Sequence, residues 1–236
     1  MTRQLALGVL VSLILRGKPV KMKRSQHTIL ISEVTNVASR LGFSNVKPMV
    51  LRDAGNLIVH LCPFPIVARV ATLSDGDDPN FWRTIWRDEI KVATHLMKQG
   101  IPVVPYLRIM PPGPYFVGGT WMTLWEYIEP APIPKLSILE IVGMINELVT
   151  AMSDFQEPLP ALGAWRNVGQ AADFVSSIRD DDRIARLLAA YEDVNERIGS
   201  EALYPAHGDA HQGNLLASST GWQWIDFEDV SLMPKF

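Results

Sequence analysis

His207-Gly208-Asp209-Ala210-His211-Gln212-Gly213-Asn214, followed by Trp224-Ile225-Asp226-Phe227-Glu228-Asp229, is the part of this 236-residue chain on which its reading turns. Asn214 lies five residues after Asp209, and Asp226 twelve after Asn214. An Asp, an Asn and a second Asp behind a short apolar run suit phosphoryl transfer: one accepts a hydroxyl proton and two hold a hard cation through oxygen. The apolar runs 214–217 and 222–225 flank Ser218-Ser219-Thr220-Gly221, which predicts strand, turn, strand. Such a hairpin folds Asn214 back beside Asp226 and leaves Asp209 on the loop entering the first strand. Either Asp alone is explained as a turn or strand-end residue, but the whole constellation is not. The His-x-Asp-x-His run also suits zinc or manganese in a metal-dependent hydrolase. That reading gives Asn214 and Asp226 no role, and the sequence offers no second His-rich cluster to complete a dinuclear site.

The pattern His-Gly-Asp-x-His-x-x-Asn followed by Ile-Asp-Phe-Glu-Asp resembles the aminoglycoside phosphotransferase and choline kinase-like family, from about Lys47 to the end of the chain. The resemblance implies an α+β, two-lobe, protein-kinase-like fold. Its N-lobe, over 25–128, is an antiparallel sheet with one main helix and binds nucleotide; its mostly helical C-lobe, over 129–236, carries the catalytic loop and metal site. Residues 1–24 form an extension. The family implies ATP and Mg2+ as cofactors, Asp209 as catalytic base, Asn214 and Asp226 as magnesium ligands, and His207 and His211 as loop-shaping residues. The chain stops ten residues after Asp226, where family members continue with helices that complete the acceptor pocket, so a truncated C-lobe is expected. The expected activity is transfer of the ATP γ-phosphate to a small-molecule hydroxyl; aminoglycosides, amino sugars, choline-like alcohols and homoserine all remain open. A catalytically inactive, nucleotide-binding pseudokinase is the alternative expectation.

A net charge of −3 without a basic stripe gives no reason to expect nucleic acid as a partner. The single cysteine, Cys62, excludes an internal disulfide and fits the reducing cytoplasm. The apolar run Leu5 to Leu15, flanked by Arg3, Arg16 and Lys18, is too short to span a bilayer, so no stable membrane insertion is expected.

Ile29, Ile31, Val34, Val37, Ala38 and Leu41 recur at helical spacing before Gly42, which predicts a helix. Val46 to Leu51, Asn56 to Leu61 and Ile66 to Ala71 then read as three strands. Asp53-Ala54-Gly55-Asn56 links the first two, where a kinase places the loop over the nucleotide phosphates, so Gly55 and Asn56 are candidate phosphate-loop residues. The fuller Gly-x-Gly-x-x-Gly and the Walker-A pattern are both absent from the sequence.

Arg69 is a charge in an otherwise apolar strand, at the place of the third-strand Lys of kinases. The next helix carries Phe81, Trp82, Ile85, Trp86, Ile90, Ala93, Leu96 and Met97 as an apolar stripe before Gly100 and Pro102, and Glu89 shares its inward face. A carboxylate there is costly unless paired, and Arg69 is its expected partner. Val103 to Met110 and Trp121 to Ile128 read as two more strands around a turn from Pro111 to Gly119. The resemblance makes the following Glu126-Tyr127-Ile128 a hinge, with backbone groups of Glu126 and Ile128 against the nucleotide base. Ser137 with Glu140 predicts a capping box opening a helix buried through Ile138, Ile141, Val142, Ile145, Leu148, Val149 and Met152. Further helices are predicted over Ala171 to Ile178 and after Asp180-Asp181-Asp182, a triplet read as a helix cap.

Overall fold

The structure, a computed structural model, describes residues 24–72, 78–108, 113–177 and 181–234. The apolar run at Leu5 to Leu15 and the 1–24 extension up to Lys23 lie outside them.

α1 (Arg24–Arg40) buries Leu30, Val34, Val37 and Ala38, the i, i+4, i+7, i+8 stripe of an amphipathic helix. Ile29, expected on that stripe, is 62% exposed because the buried face is centred one residue further on. The stripe meets Leu57, Val59, Leu61, Ile66, Ala68, Val70, Val117, Met122 and Leu124 in one core. Those residues come from β2 (Asn56–Cys62), β3 (Ile66–Ala71), β4 (Tyr115–Val117) and β5 (Thr120–Glu126), which with β1 (Lys47–Ala54) form an antiparallel sheet ordered β1-β2-β3-β5-β4. β2 alternates buried and half-buried positions, while β3, the central strand beside it, is buried almost throughout. A register shift between Val50 and Arg52 bulges edge strand β1, a device that blunts a sheet edge.

The strand expected from Val103 to Met110 is not formed over the described residues 103–108. Val103 and Tyr106 make only isolated bridges, to Trp224 and Trp125. Pro105 within this stretch removes a ladder donor, which explains why no continuous strand forms. Part of the expected turn instead holds β4, whose three residues are too short for an alternation signal.

α2 (Pro79–Lys98) starts where Asp78 accepts a hydrogen bond from the Asn80 amide at 2.9 Å with Pro79 just inside the helix. It buries Trp86, Asp88, Glu89, Val92, Ala93 and Leu96. α3 (Ile138–Ser153) opens with both hydrogen bonds of the expected capping box between Ser137 and Glu140. Its buried face is Leu148, Ala151 and Met152, whereas Ile138, Val142 and Val149 are exposed. His95 of α2 meets the Ala151 carbonyl near the end of α3 at 2.8 Å.

Contacts divide the chain into two compact units. The first holds the elements just described, through Phe155, together with Ala210–Glu228 and its hairpin of β7 (Leu215–Ser218) and β8 (Gly221–Trp224). The second comprises Gln156–Asp209 and the chain from Asp229. It contains α4 (Gly163–Ser176), α5 (Asp182–Ile198) and the antiparallel pair β6 (Leu203–Ala206) with β9 (Ser231–Pro234). α4 begins eight residues before the predicted Ala171, and Asp181 caps α5 by accepting from the Arg183 amide. Asp180 lies outside the described residues. β6 and β9 were not expected; each is four residues long and pairs across intervening chain. Among the described residues no helix is long and apolar enough to cross a membrane.

Candidate active site

Four elements of the first unit bring polar and charged side chains together around Arg69. From β3, its Nη1 donates to Glu89 of α2, and its Nη2 donates to Asp226 and, at 2.6 Å, to Glu228. Trp86, one turn before Glu89, places its ring 4.6 Å from the guanidinium carbon. The Phe227 amide donates to the same Glu89 oxygen at 3.2 Å. Asn56, the first residue of β2, donates from Nδ2 to Glu228 at 2.7 Å. Strand, helix and post-hairpin loop are thereby fixed to one another by a single guanidinium.

The electrostatics follow from burial and count. Burial works against the Arg69 charge, but Glu89, Asp226 and Glu228 outweigh it and raise the guanidinium above its ordinary value. Glu89 is fully buried, and burial pushes its carboxyl up to about 8; Arg69 opposes this, while the carboxylates of Asp226 and Glu228 add to it. Arg69 is thus the fixed charge, and Glu89 is the member of the pair that takes up a proton first. Its Oε2 is buried and has no hydrogen-bond partner among the described residues.

This pair yields a prediction. Arg69→Met leaves Glu89 buried beside two further carboxylates and should cost about 3–5 kcal/mol of unfolding free energy, the scale for breaking a buried ion pair from one side. Combining it with Glu89→Gln should cost about 1–3 kcal/mol less than the sum of the two. Urea denaturation of the four proteins above pH 8, where the Glu89 of the parent is ionised, measures this, and additive losses would show that the two side chains are not coupled.

Asn214 and Asp226 are brought together by the hairpin. Leu215 pairs with Trp224, and the Ile225 amide donates to the Asn214 carbonyl at 3.0 Å, which holds the residue before Asp226 against Asn214. Asn214 ends a short 3-10 turn (Gln212–Asn214), not the strand expected from residue 214, and is buried. His211 caps that turn by accepting from the Gly213 amide on Nδ1 at 2.8 Å. Asp226 sits at φ +69°, a left-handed conformation that Asp and Asn adopt more readily than other side chains.

Among the described residues no three His, Cys, Asp or Glu side chains are grouped as a metal-binding set, and the His207-Asp209-His211 run is no exception. Asn214 and Asp226 are the expected ligands whose donors could hold a divalent cation. Those donors are oxygens, and Asp226 is one of three carboxylates that share one guanidinium. An oxygen-only site with surplus negative charge fits a hard cation such as magnesium.

Asp209 and His207 belong to the second unit, whereas Asn214, Asp226 and Arg69 belong to the first. His207 is buried and its Nδ1 accepts from the Asp209 amide at 3.4 Å. Gly208 between them has φ +84°, and a Cβ there would lie 2.1 Å from the Asp229 carbonyl oxygen. Only glycine fits at that approach.

At the link between β1 and β2, Gly55 has φ +79° and a Cβ there would meet nothing within 4 Å. Asn56 turns its side chain to Glu228. At the end of β5 the Glu126 amide donates to the Pro105 carbonyl at 2.9 Å, so what Glu126 offers at that edge is its carbonyl. Ile128 is half-buried, and its amide makes no backbone hydrogen bond among the described residues. Sequence reading did not single out Glu228 or Trp86 as site residues. The one signal was that Glu228, two residues after Asp226, shares its face if the chain is extended.

No family model matches the chain, and no curated protein matches it. Solved structures do. An amicoumacin kinase in complex with AMP-PNP and Ca2+ is similar over 90% of this chain and 68% of its own, with TM-score 0.60 and 11% identity. A spectinomycin phosphotransferase bound to ADP and spectinomycin is similar over 86% of this chain and 70% of its own, with TM-score 0.57 and 13% identity. A choline/ethanolamine kinase family protein from Mesorhizobium loti matches over 88% of this chain and 66% of its own, with TM-score 0.53 and 13% identity. The chain has the α+β, kinase-like fold of these proteins, with the antiparallel sheet in its N-terminal part and helices beyond.

Proposed function

We propose that this chain is a small-molecule phosphotransferase that moves the γ-phosphate of ATP to a hydroxyl group. The observation that carries the reading is the Arg69 cluster: a third-strand cation paired with a buried helix carboxylate and joined to the Asp of Ile225-Asp226-Phe227. In a kinase-like fold this is where nucleotide phosphates are held.

In this reading Asn214 and Asp226 hold magnesium, which when bound neutralises charge on the phosphate oxygens. Arg69 adds a fixed positive charge beside the phosphates and is itself held by Glu89. The Gly55-Asn56 link covers the phosphates, and the Glu126 carbonyl with the Ile128 amide receives the nucleotide base. Asp209 orients the acceptor hydroxyl and takes its proton, while His207 and His211 shape the loop by accepting the amides of Asp209 and Gly213. Positioning and charge neutralisation provide most of the rate, because phosphoryl transfer asks little covalent chemistry of the protein.

The acceptor class is tested directly. The chain is incubated with γ-labelled ATP or GTP, magnesium, and a panel of aminoglycosides, amino sugars, choline-like alcohols and homoserine. The expected result is magnesium-dependent label on one acceptor class. Nucleotide binding without transfer to any of them would assign the chain to the inactive, nucleotide-binding class.

A further inference from the structure

We propose, resting on the phosphotransfer reading of the same site, that Glu228 is a positioning residue: it ties the link between β1 and β2 to the metal ligand Asp226, so that a divalent cation there steadies the link.

The connection runs through two side chains. Asn56, at the end of the link, donates to Glu228 Oε2 at 2.7 Å, and the same oxygen accepts from Arg69 Nη2 at 2.6 Å. Nη2 also donates to Asp226. Residues 172 apart in sequence are thereby joined across a single carboxylate. Strand pairing runs up to the link, Ala54 with Asn56 and Asp53 with Leu57, but its tip is open, since a Cβ at Gly55 would touch nothing within 4 Å. Just before the link, in β1, Asp53 is 3.5 Å from His27 of α1.

The response to a cation follows from charge. Asp226 and Glu228 share one guanidinium nitrogen, so two like charges are held close together and each weakens the other's contact. Both are partly open to solvent, with side-chain exposures of 26% and 30%, whereas Glu89 is at 1%. A cation compensating Asp226 lowers the repulsion. Glu228 then settles more firmly on Arg69 and on Asn56, and the link is held. A carboxylate serving only to neutralise Arg69 would not transmit occupancy at Asp226 to residues 53–56.

The test is amide hydrogen exchange at residues 53–56 in the nucleotide-free full chain, with and without magnesium chloride. The magnesium-induced shift in melting temperature runs alongside as a record of binding. In the parent chain, magnesium should slow exchange at the link on the order of 10-fold, within the usual range of coupling between sites. Glu228→Gln keeps an acceptor for Asn56 but removes the repelling charge, and Asn56→Ala cuts the tether. Both should retain the melting shift and respond at the link by less than about 2-fold. Parent-like slowing in both variants would overturn the proposal, as would a parent chain that magnesium stabilises without any response at 53–56. A parent chain that magnesium does not stabilise at all would overturn the cation reading and this proposal together.

Discussion

Asp226→Asn removes magnesium-dependent nucleotide binding and lowers phosphoryl transfer by on the order of 10²–10³-fold, the scale of losing one preorganised electrostatic group. Asn is the informative replacement because it tolerates the φ of +69° observed here, whereas Ala in a left-handed conformation costs about 1–2 kcal/mol. The amide can still accept from Arg69, so the strand, helix and loop stay joined. Removing one of three carboxylates also lessens the crowding of negative charge that helps raise Glu89. The melting temperature should therefore hold or rise while magnesium-dependent affinity is lost. Calorimetric titration with Mg-ATP and a thermal melt give both quantities. Parent-level Mg-ATP affinity in a folded Asp226→Asn chain would remove Asp226 from the metal site.

Asp209→Asn acts on the other half of the chemistry. It keeps the size of the side chain and leaves the backbone amide of residue 209 free to donate to His207. An amide cannot accept the hydroxyl proton, so kcat should fall roughly 10²–10⁴-fold, the contribution of a positioned general base. Affinity for Mg-ATP should stay within about 2-fold, because a group acting only in the transition state leaves ground-state binding unchanged. Steady-state kinetics with the acceptor found by the screen, together with nucleotide titration, separate the two effects. Loss of nucleotide affinity would contradict a base role for Asp209.

The hairpin of β7 and β8 was legible in sequence because its information is local. Two apolar runs around Ser218-Ser219-Thr220-Gly221 fix a turn, and a turn fixes which residues face each other across it. The pairing of Arg69 with Glu89 could also be anticipated, since a charge in an apolar strand and a carboxylate on an apolar helix face each call for a partner. Glu228 gave no such signal. A carboxylate next to Asp229 in a loop reads as solvated, and its engagement with Asn56 exists only once β2 and the loop after β8 are folded together.

Where local pattern misled, the cause lies in single residues or in phase. Pro105 interrupts what hydropathy alone presents as a strand, and the chain forms bridges there instead of a ladder. In α1 and α3 the apolar residues are numerous enough to allow more than one inward face. Packing selected Leu30 over Ile29 in one helix, and Leu148 and Met152 over Ile138 and Val142 in the other. β6 and β9 owe their pairing to contacts between distant segments, which a four-residue window does not contain.

The central claim is that Arg69, Glu89, Asn214 and Asp226 form a magnesium-dependent nucleotide site. Titration of the 236-residue chain with ATP, in the presence and absence of magnesium, measures it most directly. The account predicts saturable binding that strengthens with magnesium and reverts to the magnesium-free value in Asp226→Asn. A folded chain whose heat of mixing with ATP is the same as buffer, with or without magnesium, would contradict it.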